Sequence, residues 1–179
     1  GEGVFIEFNR DTIDSWLSSP QLSALSQKYA QCYKEFCESK EWTITTLRDA
    51  RYVLMHTFAH LLIKQMSMAS GYSSSAIRER IYFGDDMSGV LLYTGSSDKE
   101  GSLGGLVELG NISQLRILMR DAFQEALVCT NDPECLNNMP AGNNSNGAAC
   151  HSCCMISETA CENGNRMLDR GLIVPIDGR

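Results

Sequence analysis

Residues 129–161 constrain this chain more than any other stretch. They run Cys129-Thr-Asn-Asp-Pro-Glu-Cys135, then an Asn/Gly-rich insert, then Cys150-His-Ser-Cys153-Cys154, and finally Cys161. Most of the segment has no apolar periodicity, so it cannot bury a core of its own. Soft ligands crowded into a segment of this kind call for a cross-link, and zinc is the first candidate. Cys150 and Cys153 form a Cys-x-x-Cys knuckle that sets two thiolates on one tight turn. Cys129 and Cys135 reach the same point from the end of the preceding helix. This predicts a closed structural site of Cys129, Cys135, Cys150 and Cys153. Cys161 is the alternative ligand, or else a buried thiol behind the site, and Cys154 and His151 are further candidates.

The other two cysteines, Cys32 and Cys37, lie five apart in an apparent helix and point to different faces. They read as small core residues. Clustered cysteines in a chain with no apolar run of membrane-spanning length and no leader-like opening suggest a soluble cytoplasmic protein holding metal, not a disulfide framework. The net charge of -7 argues against broad, phosphate-driven nucleic-acid binding.

The remainder reads as the scaffold, α+β and mainly helical. Val4-Phe-Ile-Glu-Phe8 predicts a strand that runs into a cap at Asn9-Arg10-Asp11. Pro20 breaks one helical run and opens another, with Leu22, Leu25, Tyr29, Tyr33 and Phe36 as its apolar stripe. A helix from Thr45 or Thr46 to a C-cap at Gly71 is apolar on nearly every side between Val53 and Ile63, so it is the central buried helix. Residues 80–83 and 90–94 predict two strands of a small antiparallel sheet, followed by a Gly/Ser loop over residues 95–105. That loop lacks the ending of a phosphate-binding loop and reads as a connection. Asn111 is positioned to cap a helix with Leu115, Leu118, Ala122, Phe123, Ala126 and Leu127 on one face, and this helix delivers Cys129. Residues 158–170 predict a last helix stopped by Gly171, and residues 172–176 a closing strand. The expected organisation is one domain over 1–179: a scaffold (1–128), a Cys-rich lobe (129–161), and a closing helix and strand (162–179).

His56 and His60 stand at i and i+4 inside the apolar helix. The spacing suits a metal, yet Thr57 replaces the Glu that a zincin helix carries, so core histidines bonded to backbone or a polar partner are the preferred reading. Glu158, Glu162, Asn165, Asp169 and Arg170 are expected to tie the cysteine segment to the scaffold through caps and ion pairs.

Several blocks resemble one family. They are Arg51-Tyr-Val-Leu-Met-His-Thr-Phe-Ala-His-Leu-Leu-Ile, Leu92-Tyr-Thr, Glu100-Gly-Ser-Leu-Gly-Gly-Leu, Ala148-Ala-Cys-His-Ser-Cys and Glu158-Thr-Ala-Cys-Glu-Asn-Gly-Asn-Arg-Met-Leu-Asp-Arg. Together they look like the MrfA-type zinc-binding domain, in particular its DrmB-like branch from DISARM anti-phage systems, over residues 3–175. The resemblance implies a Zn2+-carrying, non-catalytic accessory domain of a helicase-associated defence or DNA-processing protein. Its implied partners are a helicase or another defence-complex protein, with DNA reached through the complex and no membrane. The family's quartet maps to Cys129, Cys135, Cys150 and Cys153, while Cys161 also falls on a recurrent cysteine of that branch. Two alternatives stand beside this reading: a metal-dependent hydrolase or nuclease using His56 and His60, and a direct DNA-binding module.

Overall fold

A computed structural model describes residues 1–73, 75–84, 87–95 and 105–175. Strand β1 (Gly3–Glu7) leads into α1 (Arg10–Leu17), where Asn9 Oδ1 accepts the Thr12 N–H at 2.9 Å as the cap. Helix α2 (Pro20–Ser39) opens with Ser19 as cap and Pro20 in its first turn, where a missing N–H costs nothing. Tyr29, Cys32 and Cys37 are its buried residues, which places both of those cysteines in the core as expected.

Helix α3 (Ala50–Ser70) is the axis of the molecule. It starts at Asp49, whose carboxylate accepts the Arg51 N–H, and not at Thr45 or Thr46 as the sequence suggests. It ends where Gly71 adopts a left-handed conformation with φ 76°. The run Val53, Met55, Ala59, Leu62, Ile63 and Met66 is wholly enclosed by α2, the sheet and a later helix. The sheet joins β1 to β2 (Ile77–Phe83) through the central strand β3 (Ser88–Thr94), all antiparallel, in the order β1-β3-β2. The connection between β2 and β3 includes Asp85 and Asp86, and the Gly/Ser loop includes residues 96–104; both lie outside the described residues.

After the short α4 (Gly105–Leu109), helix α5 (Ile112–Ala126) packs on α3 through Leu118, Ala122 and Ala126. Asn111 occupies its cap position, but the side chain donates to Glu108 Oε2 instead of capping. Leu127, expected on the apolar face, falls just beyond the helix and is exposed. The observed α+β class, small antiparallel sheet and buried central helix match the sequence reading.

The closing helix and strand do not form. Residues 158–160 and 170–172 are single 3₁₀ turns, residues 161–169 are turn and irregular chain, and residues 173–175 carry no strand, with Ile176 outside the described residues. Gly164, Asn165 and Met167 all take positive φ, which an α-helix forbids. The cause is local. Cys161 Sγ gathers the N–H groups of Asn163 and Asn165, and the Asn165 amide bonds both backbone groups of Ile156, so these donors leave the helical ladder. The Asn-rich insert is also held in place. Ala141 and Asn144 form a bridge, and Asn138 donates to the carbonyls of Asn146 and Gly147.

Candidate metal centre

One stripe of α3 faces the cysteine segment: His56, Thr57, His60 and Lys64, at three- and four-residue spacings. Lys64 Nζ donates to the carbonyls of Cys153 (2.7 Å) and Ser152 (3.3 Å). Nδ1 of His60 lies 2.9 Å from the Cys154 carbonyl, which can only accept, so Nδ1 carries the proton. These contacts seat the knuckle on the central helix. Its apolar side packs against Leu61 of α3 and against Ala122 and Ala126 of α5, whose small side chains let the segment approach closely.

The short α6 (Glu134–Asn137) carries Cys135, and the end of α5 leads into Cys129. Donor atoms of Cys129, Cys135, Cys150 and Cys153 all lie within 4.8 Å of one another. Cys129 and Cys150 sulfurs are 3.5 Å apart, and Cys135–Cys153 and Cys150–Cys153 are each 3.7 Å. Zinc–sulfur bonds of about 2.3 Å in a tetrahedron require sulfurs about 3.8 Å apart, so the four residues fit the ion. Peptide and amide N–H groups point at the same sulfurs: Asn131 N–H at Cys129, Asn131 Nδ2 at Cys150, and Cys150 N–H at Cys153. Such donors stabilise thiolate over thiol.

The thiols are not equivalent. A hydrogen bond from Cys154 brings the Cys153 thiol down to about 4, against the opposing effect of burial. Burial pushes Cys150 up, but Asn131 and its other donors outweigh that and leave it below its ordinary value. Burial raises Cys129 and Cys135. Cys154 is held well above the usual range by its bond to Cys153 and by burial, and it falls outside the group of four. His151 is exposed and outside the cluster.

Arg170 supports this centre from beneath. It is 0% exposed, and its guanidinium donates to the carbonyls of Ala126 (3.0 Å) and Leu127 (3.2 Å), closing the C-terminal end of α5. It also pairs with Asp132. Asp169 receives the Tyr29 hydroxyl at 2.7 Å and the N–H groups of Ala148 and Gly171, while its own N–H reaches Thr57 Oγ1. Glu162 accepts the Ile81 N–H. Glu162, Asn165, Asp169 and Arg170 thus act as ties, as the sequence suggested, while Glu158 lies exposed on its 3₁₀ turn.

Cys161 lies apart from the quartet. It sits with His56, His60 and Glu79 in a second buried group whose donor atoms also fall within 4.8 Å of one another. His56 Nε2 is 2.9 Å from Glu79 Oε1 and 3.2 Å from Cys161 Sγ, and His60 Nε2 is 3.3 Å from Glu79 Oε2. Burial would lower His56, but the Glu79 carboxylate overrides it and raises the imidazole to about 10. Both histidines are buried in the core, each with Nδ1 against a backbone carbonyl and Nε2 turned toward Glu79. Sequence reading missed Glu79. A signal existed: in Ile77-Arg-Glu79-Arg-Ile81 the alternation that buries both isoleucines turns Glu79 inward as well.

With this geometry in hand, the comparisons with known proteins agree. The family model of the MrfA Zn-binding domain matches residues 58–154, more than half of the chain. The DISARM protein DrmB of Bacillus paralicheniformis is 56% identical over 176 residues, covering 97% of this chain and 31% of that relative. The chain therefore spans less than a third of the length of the relative it matches. A cluster of four cysteine sulfurs spaced for zinc, within the matched region, makes zinc the cofactor the donor set fits. The chain belongs to the MrfA Zn-binding domain family.

Proposed function

We propose that Cys129, Cys135, Cys150 and Cys153 hold one structural zinc, and that the domain is a non-catalytic accessory module of an anti-phage defence or DNA-processing protein, assembling with a helicase or another complex protein. The observation that carries this reading is the closed donor set. Four sulfurs at tetrahedral spacing leave no position for a reactive water, so the ion holds structure. The bound zinc supplies a cross-link that the apolar content of residues 129–161 cannot. Around it, Arg170, Lys64 and His60 fix the lobe to α3 and α5. The defence context rests on the similarity to the DISARM protein DrmB.

Binding to a helicase from the same defence system, measured with the wild-type protein and with Cys135→Ser, tests the assembly role. Wild type is expected to bind, and the variant to lose both binding and the zinc of the four-cysteine centre. Hydrolytic activity that disappears in His60→Ala while the fold persists would replace this reading with an enzymatic one. Micromolar, salt-dependent DNA binding by the protein alone would replace it with direct DNA recognition.

A further inference from the structure

We propose that His56, His60, Glu79 and Cys161 form a second, closed zinc site, buried in the core and separate from the four-cysteine centre. Each imidazole presents Nδ1 to a backbone carbonyl: His56 to Met167 at 3.2 Å and His60 to Cys154 at 2.9 Å. Carbonyls only accept, so both Nδ1 atoms carry protons and both Nε2 atoms turn their remaining valence inward. This is how metal-bound histidines are held: the non-ligating nitrogen donates to the protein, which sets the tautomer and the ring orientation. Both Nε2 atoms converge on the Glu79 carboxylate, and Cys161 Sγ closes the group.

Hydrogen bonding alone leaves this group incomplete. His60 Nε2 and Glu79 Oε2 are buried and face each other at 3.3 Å, yet neither has a hydrogen-bond partner. Each unsatisfied buried group costs about 1–3 kcal/mol. Satisfying them with a proton would place it on His60 or on Glu79, inside a core where the two imidazole rings already lie 4.5 Å apart. One divalent cation satisfies all four residues at once. Two neutral imidazoles, one carboxylate and one thiolate balance its charge to zero.

The distances suit a small ion. Zinc bonds of about 2.0–2.3 Å to nitrogen, oxygen and sulfur set tetrahedral donors about 3.3–3.6 Å apart. The observed separations of 2.9, 3.2 and 3.3 Å lie at or just below that range. Cys161 Sγ already receives two peptide N–H groups, from Asn163 and Asn165, as a ligating thiolate does. The mixed nitrogen, oxygen and sulfur set suits zinc. Full burial leaves no access for substrate, so this ion clamps α3, β2 and the turns after Cys161. His60 connects the two centres, because the carbonyl that orients its ring belongs to Cys154, next to the ligand Cys153.

Elemental analysis and zinc K-edge absorption of the wild-type protein, purified without chelators, test the site. Two zinc ions per chain are expected, with an averaged shell containing nitrogen or oxygen beside sulfur. His60→Gln and Glu79→Gln are each expected to lose one zinc and leave a sulfur-only shell. The double variant Cys135→Ser, Cys153→Ser is expected to keep one zinc in a nitrogen- and oxygen-rich shell. One zinc per chain in a sulfur-only wild-type shell would overturn the second site and leave the four-cysteine site standing. One zinc in a nitrogen- and oxygen-rich shell would do the reverse. The wild-type spectrum decides the matter even if the variants fail to fold.

Discussion

Arg170 and Asp132 are paired beneath the cysteine cluster, and the second carboxylate oxygen of Asp132 accepts the N–H of Cys129 at 2.9 Å. One carboxylate thus links the guanidinium that closes α5 to the first proposed zinc ligand. Partners of this kind typically contribute 10–100-fold to metal affinity. Asp132→Ala is therefore expected to speed zinc loss to a chelator by about that factor. Unchanged loss would show that the pair serves packing alone.

Cys153 and Cys154 are adjacent yet have opposite roles. Cys154→Ala is expected to retain the zinc content of the wild type, whereas Cys153→Ser loses one ion. Structural zinc contributes about 10–16 kcal/mol in small zinc-finger peptides, so the Cys153 variant is expected to lose hydrogen-exchange protection throughout residues 129–161. Equal zinc loss in both variants would move the ligand assignment to the neighbouring thiol.

Zinc binding to the quartet is expected to release protons. Burial holds Cys129 and Cys135 protonated at neutral pH, while Cys153 is already a thiolate near pH 7. Raised thiol pKa values mean that protons compete with the ion more strongly as pH falls, so affinity drops on acidification. Calorimetry in buffers of different ionisation enthalpy is expected to show net proton release on zinc binding at this centre near pH 7.5. In a Glu79→Gln background, where only this centre remains, no proton release would contradict the assignment of Cys129 and Cys135.

Asp169 is fully buried and joins α2, α3 and the Cys-rich lobe through Tyr29, Thr57 and Ala148. Its replacement by Ala strands several donors at about 1–3 kcal/mol each. A loss of roughly 3 kcal/mol or more in urea unfolding is expected. Gly147→Ala is expected to mimic part of this loss, since a Cβ there would lie 2.2 Å from Asp169 Oδ2 and 2.4 Å from the Tyr29 hydroxyl. A drop under 1 kcal/mol in the Asp169 variant would show that water replaces its partners.

The legible parts of the chain were those whose signals are local. The apolar run of α3 announced a helix buried on every side, and Gly71 marked its end. The Cys-x-x-Cys knuckle marked a thiolate pair, because two sulfurs three residues apart meet in one turn whatever surrounds them. Residues 158–170 failed as a helix because their backbone donors serve Cys161 and Ile156, acceptors that periodicity does not register.

From the sequence alone came the α+β class, the buried central helix and the four cysteines spaced for a closed site. Each follows from residue type and from separations of a few positions. The tertiary structure decided where Cys161 belongs, and it brought Glu79 to the two histidines. Those residues are 105 and 23 positions from His56, and they meet only because β2 and the turns after Cys154 pack on the same stripe of α3. Separations of that length are closed by packing, so the group His56, His60, Glu79 and Cys161 leaves no contiguous trace in the chain.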